Sequence, residues 1–121
     1  MTVWERAHAV ALEIYKVTAS FPREEQFGIT SQMRRSSASI AANIAEGCGR
    51  TGNGEFHRFL NASAGSAVEL EYFLLLSRDL GLIANDRYHG LQSVICEVQR
   101  TLASLIRKVD VARRAKLVAS C

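Results

Sequence analysis

Ile29-Thr30-Ser31-Gln32-Met33-Arg34-Arg35-Ser36-Ser37-Ala38-Ser39-Ile40-Ala41-Ala42-Asn43-Ile44-Ala45-Glu46 is the stretch on which the fold turns. Its large aliphatic residues, Ile29, Met33, Ile40 and Ile44, recur at helical spacing with Ser36 and Ser37 beside them, so they share one face. Ala38, Ala41 and Ala45 make a second face of small residues next to Arg34. A third stripe, Gln32, Arg35, Ser39, Asn43 and Glu46, is polar throughout. Solvated helix faces are usually rich in Lys and Glu, whereas amides and hydroxyls with one Arg and one Glu suit hydrogen bonding to a neighbour. The alternative is that these groups satisfy one another and the adjoining loop within one chain.

Outward from this helix the glycine-rich run Gly47-Cys48-Gly49-Arg50-Thr51-Gly52-Asn53-Gly54 disfavours continuation and reads as the longest loop. The next segment repeats Phe56, Phe59, Leu60, Ser63, Ala67, Leu70 and Leu74 with helical period and closes at Gly81. Asn85-Asp86 offers a cap for a fourth helix with the face Tyr88, Leu91, Ile95, Val98, Leu102, Leu105, Ile106 and Val109. Upstream, Trp4, Ala7, Ala11, Ile14, Thr18 and Phe21 mark a first helix that Phe21-Pro22 ends. The spacing predicts helices at about 3–19, 29–46, 55–80 and 86–112, followed by a basic tail at 113–121. Four amphipathic helices on short connections predict an all-α protein, an up-down-up-down antiparallel bundle filling one domain over residues 1–121.

A chain of 121 residues with 48% hydrophobic and 22% charged residues and a single proline is neither disordered nor collagenous. No apolar run reaches the length of a membrane span, and no secretion leader is expected at Met1-Thr2-Val3-Trp4. The three cysteines, Cys48, Cys96 and Cys121, form no CxxC pair and point to a reducing cytoplasm. The net charge of +3 is unevenly spread. Residues 100–121 carry six Lys and Arg against Asp110 alone, while the first ninety-nine carry nine against eleven acids. Cations at a helix end also compensate its dipole, so the cluster has a bland reading beside a functional one.

Two further surfaces exceed what one bundle hides. The third helix carries Gly65, Val68, Tyr72, Leu75 and Leu76 opposite its core stripe, which predicts self-association. On the fourth, Arg100, Arg107 and Arg114 recur every seven residues, about 10.5 Å apart along the axis. Such a row, with Lys108 beside it, suits a phosphate backbone, although no interleaved aromatic offers a base-stacking platform. Enzyme chemistry is thinly represented. Glu5-x-x-His8 and Asp86-x-x-His89 have carboxylate–imidazole spacing, but both occupy first turns rather than mid-bundle. Cys48 and His57 lack an orienting third group, and the glycine loop lacks the Gly-Lys-Ser/Thr ending of a phosphate loop. No metal and no cofactor are expected.

Trp4, Ile14-Tyr15, Thr18, Phe21-Pro22, Gly28 through Arg35, Ser39-Ile40, Ala42-Asn43-Ile44-Ala45-Glu46-Gly47, Arg50, Phe59-Leu60, Ala64-Gly65-Ser66, Glu69-Leu70-Glu71 and Asp79-Leu80-Gly81 carry a resemblance. Together they resemble the bacterial four-helix-bundle proteins called ribosomal RNA intervening-sequence proteins, encoded within insertions in large-subunit rRNA genes. The block from Gln32 to Gly47 is its specific part. Ala41 departs from it where the family often has proline, implying a straighter second helix. The resemblance implies a bundle assembling as a homopentamer. It also implies likeness to the accessory protein of diversity-generating retroelements, a basic barrel that binds nucleic acid and a reverse transcriptase.

The sequence thus predicts a non-enzymatic homo-oligomer that binds RNA or DNA through Arg100, Arg107, Lys108 and Arg114. Its copies would meet through Gln32, Arg35, Ser39, Asn43, Glu46 and Tyr72. The rival reading is a scaffold that binds another protein through the apolar face around Tyr72.

Overall fold

The computed structural model describes residues 1–120. Helix α1 spans Val3–Thr18, α2 Ile29–Cys48, α3 Asn53–Asp79 and α4 Asn85–Ser120, with one 3-10 turn at Arg23–Glu25 and no strand among the described residues. Each helix packs on its neighbours in the chain, and α1 closes the ring against α4. The register is antiparallel throughout. Moving along α2, Met33 meets Ser77, Arg35 meets Glu69, Ser39 meets Ser66 and Ile40 meets Ser63, so the α3 partner recedes as the α2 residue advances. Between α3 and α4 the same order runs from Arg78 over the Tyr88 ring, through Glu71 with Gln99, to His57 with Asp110.

Capping chemistry explains where α1 begins and where α3 ends. Thr2 Oγ1 accepts from Glu5 N–H at 3.1 Å while Thr2 N–H donates to Glu5 Oε1 at 2.9 Å, a reciprocal box that starts α1. Gly81, at φ 77°, closes α3. Its N–H donates to Arg78 O and Leu82 N–H donates to Ser77 O at 2.8 Å, satisfying two terminal carbonyls through a left-handed residue that favours glycine.

The core joins Val10 and Ile14 of α1, Met33, Ile40 and Ile44 of α2, Leu60, Leu70 and Leu74 of α3, and Ile95, Val98 and Leu102 of α4, all at most 2% exposed. Small buried hydroxyls fill the tightest spaces between them. Ser63 Oγ donates across the α2–α3 seam to Ile40 O at 2.8 Å, and Ser36, Ser37 and Ser77 return their protons to carbonyls of their own helices.

The structure corrects several expectations. Trp4 is 42% exposed rather than in the core, and Val10 takes its place. A rotation of 100° per residue sets Trp4 about 60° away from the mean direction of the buried α1 residues. Its ring instead stacks on His8, with centroids 5.2 Å apart. Helix α2 runs through Gly47 to Cys48 instead of stopping at 46, so Cys48 is helical and the loop is shorter. Asn85 is the first residue of α4 rather than its cap. Residues 113–120 continue α4 and are no tail. No Gly or Pro follows Gly90, and Asp110 pairs with Arg113 and Arg114 at helical i+3 and i+4 spacing. The tail's last residue, Cys121, lies outside the described residues.

Candidate nucleic-acid interface and oligomer surface

Helix α4 presents its cations outward because its apolar stripe faces α1 and α3. Arg100, Arg107, Lys108 and Arg114 are all exposed. Arg100, Arg107 and Lys108 make no ion pair among the described residues, whereas Arg114 Nε lies 3.0 Å from Asp110 Oδ2. Asp110 is a hub. Arg113 donates to its Oδ1 at 2.8 Å, and His57 Nε2 of α3 stands 3.6 Å from that same oxygen. Arg113's hydrogen bond, helped by the nearby charges of Arg114 and His57, holds the Asp110 carboxyl below its ordinary range. The lower part of α4 thereby docks on the start of α3. A cleft of about 380 Å³ lies there, lined by Gly52, Asn53, Gly54, Arg113, Lys116 and Leu117.

The polar stripe of α2 follows the α2–α3 seam. Arg35 donates to Gln32 Oε1 at 2.8 Å and pairs with Glu69 of α3. Asn43 Nδ2 donates to Ser39 O at 2.8 Å, and Ser66 Oγ of α3 donates to Ser39 Oγ at 2.9 Å. Glu46 accepts from Arg50 at 3.2 Å. Much of the stripe's hydrogen-bonding capacity is therefore taken up inside the chain, as the alternative reading of the sequence has it. The small-residue face divides. Ala41 is buried, while Ala38 and Ala45 stay exposed, and Ala45 lines an open depression with the neighbouring, likewise exposed Ala42 and with Glu46, Gly49 and Arg50.

Helix α3 hides more of its apolar surface than its pattern suggests, since Leu75 and Leu76 are half-buried. Val68 and Tyr72 remain 59% and 57% exposed. They border a cleft of about 310 Å³ between α3 and α4 that Glu71, Leu75, Tyr88 and Gln92 complete.

The residues weighed for catalysis have other partners. The backbone N–H of Thr2 binds the Glu5 carboxylate and lowers its pKa, His8 stacks on Trp4, and His89 packs edge-on against Tyr88. Among the described residues no three His, Cys, Asp or Glu side chains gather as a ligand set. Cys48 is exposed at the end of α2, while His57 is engaged by Asn61 and Asp110. Among the described residues no helix is long and apolar enough to cross a membrane.

Two features escape the sequence pattern. Phe27, in the turn before α2, is 90% exposed. Arg34 folds back on α1, donating from Nε to Thr18 Oγ1 at 2.9 Å with its guanidinium 4.7 Å from the Tyr15 ring centroid. No periodicity links residues sixteen apart on different helices, so only the fold could bring them together.

Comparison with known proteins adds a family and a fold. The sequence profile described as 23S rRNA-intervening sequence protein matches residues 1–104. Arg100 lies within that match, whereas Arg107, Lys108 and Arg114 lie beyond it. The chain is similar to a crystal structure described as a protein with unknown function from the S23 ribosomal protein family of Bacteroides thetaiotaomicron VPI-5482. The TM-score is 0.79 and the identity 28%, over 87% of this chain and 98% of that one. Among curated proteins nothing matches.

Proposed function

The chain belongs to the 23S rRNA-intervening sequence protein family, and from that membership we propose a non-enzymatic, cytoplasmic homo-oligomer that holds RNA or DNA against α4. The observation that carries this reading is the outward row of Arg100, Arg107 and Lys108, three cations without a counter-ion among the described residues. Cations unpaired in the free protein can release the counter-ions of a phosphate backbone on binding, which makes the affinity fall with salt. A pentamer, as the family resemblance implies, would repeat the row around its axis and multiply the field. The exposed Val68 and Tyr72, with the uncovered Ala38, Ala42 and Ala45, supply apolar surface for contact between copies, and Gln32, Arg35, Ser39, Asn43 and Glu46 flank it.

Filter binding at several salt concentrations tests the nucleic-acid half. Retention should fall with salt and be lost in the Arg100→Glu, Arg107→Glu double variant; retention unchanged by that variant refutes the assignment to α4. Light scattering tests the other half, where a mass several times 13.3 kDa is expected and a monomer at micromolar concentration contradicts it. A second reading rests on the exposure of Val68 and Tyr72 alone, with another protein covering that face. Tyr72→Glu then abolishes capture of the partner while leaving retention of nucleic acid intact.

A further inference from the structure

A polar cleft of about 230 Å³ lies where α1 passes into α2, at the end of the bundle away from the row Arg100, Arg107 and Arg114. Thr18 and Phe21 line it from the α1 side, Arg23 and Gln26 from the linking turn, and Thr30 and Arg34 from α2. Two cations and no carboxylate face it, because Glu25 turns to the Ile29 N–H at 3.4 Å instead.

One atom there is out of keeping with the rest of the core. Thr18, Ser36, Ser37, Ser63 and Ser77 are buried hydroxyls, and each donates to a backbone carbonyl. Thr30 is only 8% exposed, and its Oγ1 has no hydrogen-bond partner. Thr30 sits in the first turn of α2, so no helical carbonyl lies one turn before it to take the proton. A valine of the same shape would avoid the cost of an unpaired buried hydroxyl. Arg34 is pre-oriented beside it. Bonds to Thr18 Oγ1 and Tyr15 O and stacking on Tyr15 fix its guanidinium but use only two of its five N–H groups.

We infer that this cleft is a phosphate site. The spare Arg34 N–H groups donate to the phosphate oxygens, the Thr30 hydroxyl, enclosed in the free protein, joins them by rotation about its Cα–Cβ bond, Gln26 adds an amide donor, and Arg23 neutralises charge at the rim. The half-buried Phe21 gives an apolar wall against which an esterified sugar fits. The phosphate is that of a mononucleotide or of a nucleic-acid chain. The site is independent of the α4 row and stands or falls separately from it.

Nuclear magnetic resonance titration of the whole chain with inorganic phosphate, uridine 5′-monophosphate and a short RNA oligomer tests the assignment. Saturable movement of the Thr30 and Gln26 amides and of the Arg34 Nε–H is expected with phosphate and with the mononucleotide. If a nucleic-acid chain is the natural source, the oligomer moves the same signals at lower concentration; if a free nucleotide is, the oligomer moves none of them. Thr30→Val should weaken phosphate binding about tenfold without loss of folded signal. Arg23→Gln, at an exposed position, should weaken it several-fold even if the first variant folds poorly. Absence of saturable movement with phosphate, or binding unaltered in both variants, overturns the proposal.

Discussion

Gly47→Ala pits two effects of known sign against each other. Replacing a helical glycine by alanine stabilises by about 1 kcal/mol, because alanine loses less backbone freedom on folding. At Gly47, however, an added Cβ would stand 2.9 Å from Phe56 Cδ1 and 3.0 Å from Phe59 Cβ. The Phe56 ring can rotate away. Phe59 Cβ cannot, since it is one bond from the α3 backbone, so relief requires α2 and α3 to separate by a few tenths of an ångström along a seam where Ser63 bonds to Ile40 O. Overpacking of this kind costs about 1–3 kcal/mol. The balance is a net loss of about 1 kcal/mol, or a Tm about 3–5 °C lower for a domain of this size. Gly90→Ala is the control, because its added Cβ meets nothing within 4 Å; it should raise the Tm by a similar amount. Both are read by thermal denaturation followed by circular dichroism at one protein concentration. A Gly47→Ala protein whose Tm rises like that of Gly90→Ala would refute the claim that Gly47 is held by the close approach of α3.

Three other outcomes are expected. Gly65 lies on the outward side of α3 with open space around it in the single chain, so Gly65→Leu should leave helix content intact yet lower the assembled mass by light scattering; an unchanged mass removes that face from the contact between copies. The depressed Asp110 pKa contributes stability that is fully present above the unfolded value near 3.8 and is lost as pH falls through the folded value. Asp110→Asn should therefore be less stable than wild type at neutral pH and converge with it in acid, and a difference that persists at low pH assigns the loss to packing instead. Finally, the polar contacts of α1 with α4 are the half-exposed pairs Arg6–Glu97 and Glu13–Arg87, both 2.6 Å, and pairs so open to solvent contribute little. Hydrogen exchange should then be faster in α1 than in α2 and α3, and equal protection of all three would contradict this.

The elements were legible because helical periodicity is local. Ile29, Met33, Ile40 and Ile44 are buried as their spacing requires, and so are Leu60, Leu70 and Leu74. The outward positions of Arg100, Arg107 and Arg114 follow from the same arithmetic once the α4 apolar stripe is placed. Glycine was the weakest signal, since Gly47 looks identical in sequence whether it ends a helix or lets a phenylalanine approach one. The end of α4 is hidden in the sequence for a related reason: a run of charges reads as a tail until Asp110 is seen holding Arg113 and Arg114 along one helix.

By itself the sequence determined four amphipathic helices, their order and the face each turns inward, because those properties depend only on neighbours within a few turns. Tertiary structure alone decided which polar groups are spent. It paired Arg35 with Glu69 and Ser39 with Ser66, left Thr30 unpaired beside Arg34, and turned Trp4 to the surface. Pairing across a seam depends on the rotation and axial register of two helices, and no spacing within either helix specifies those.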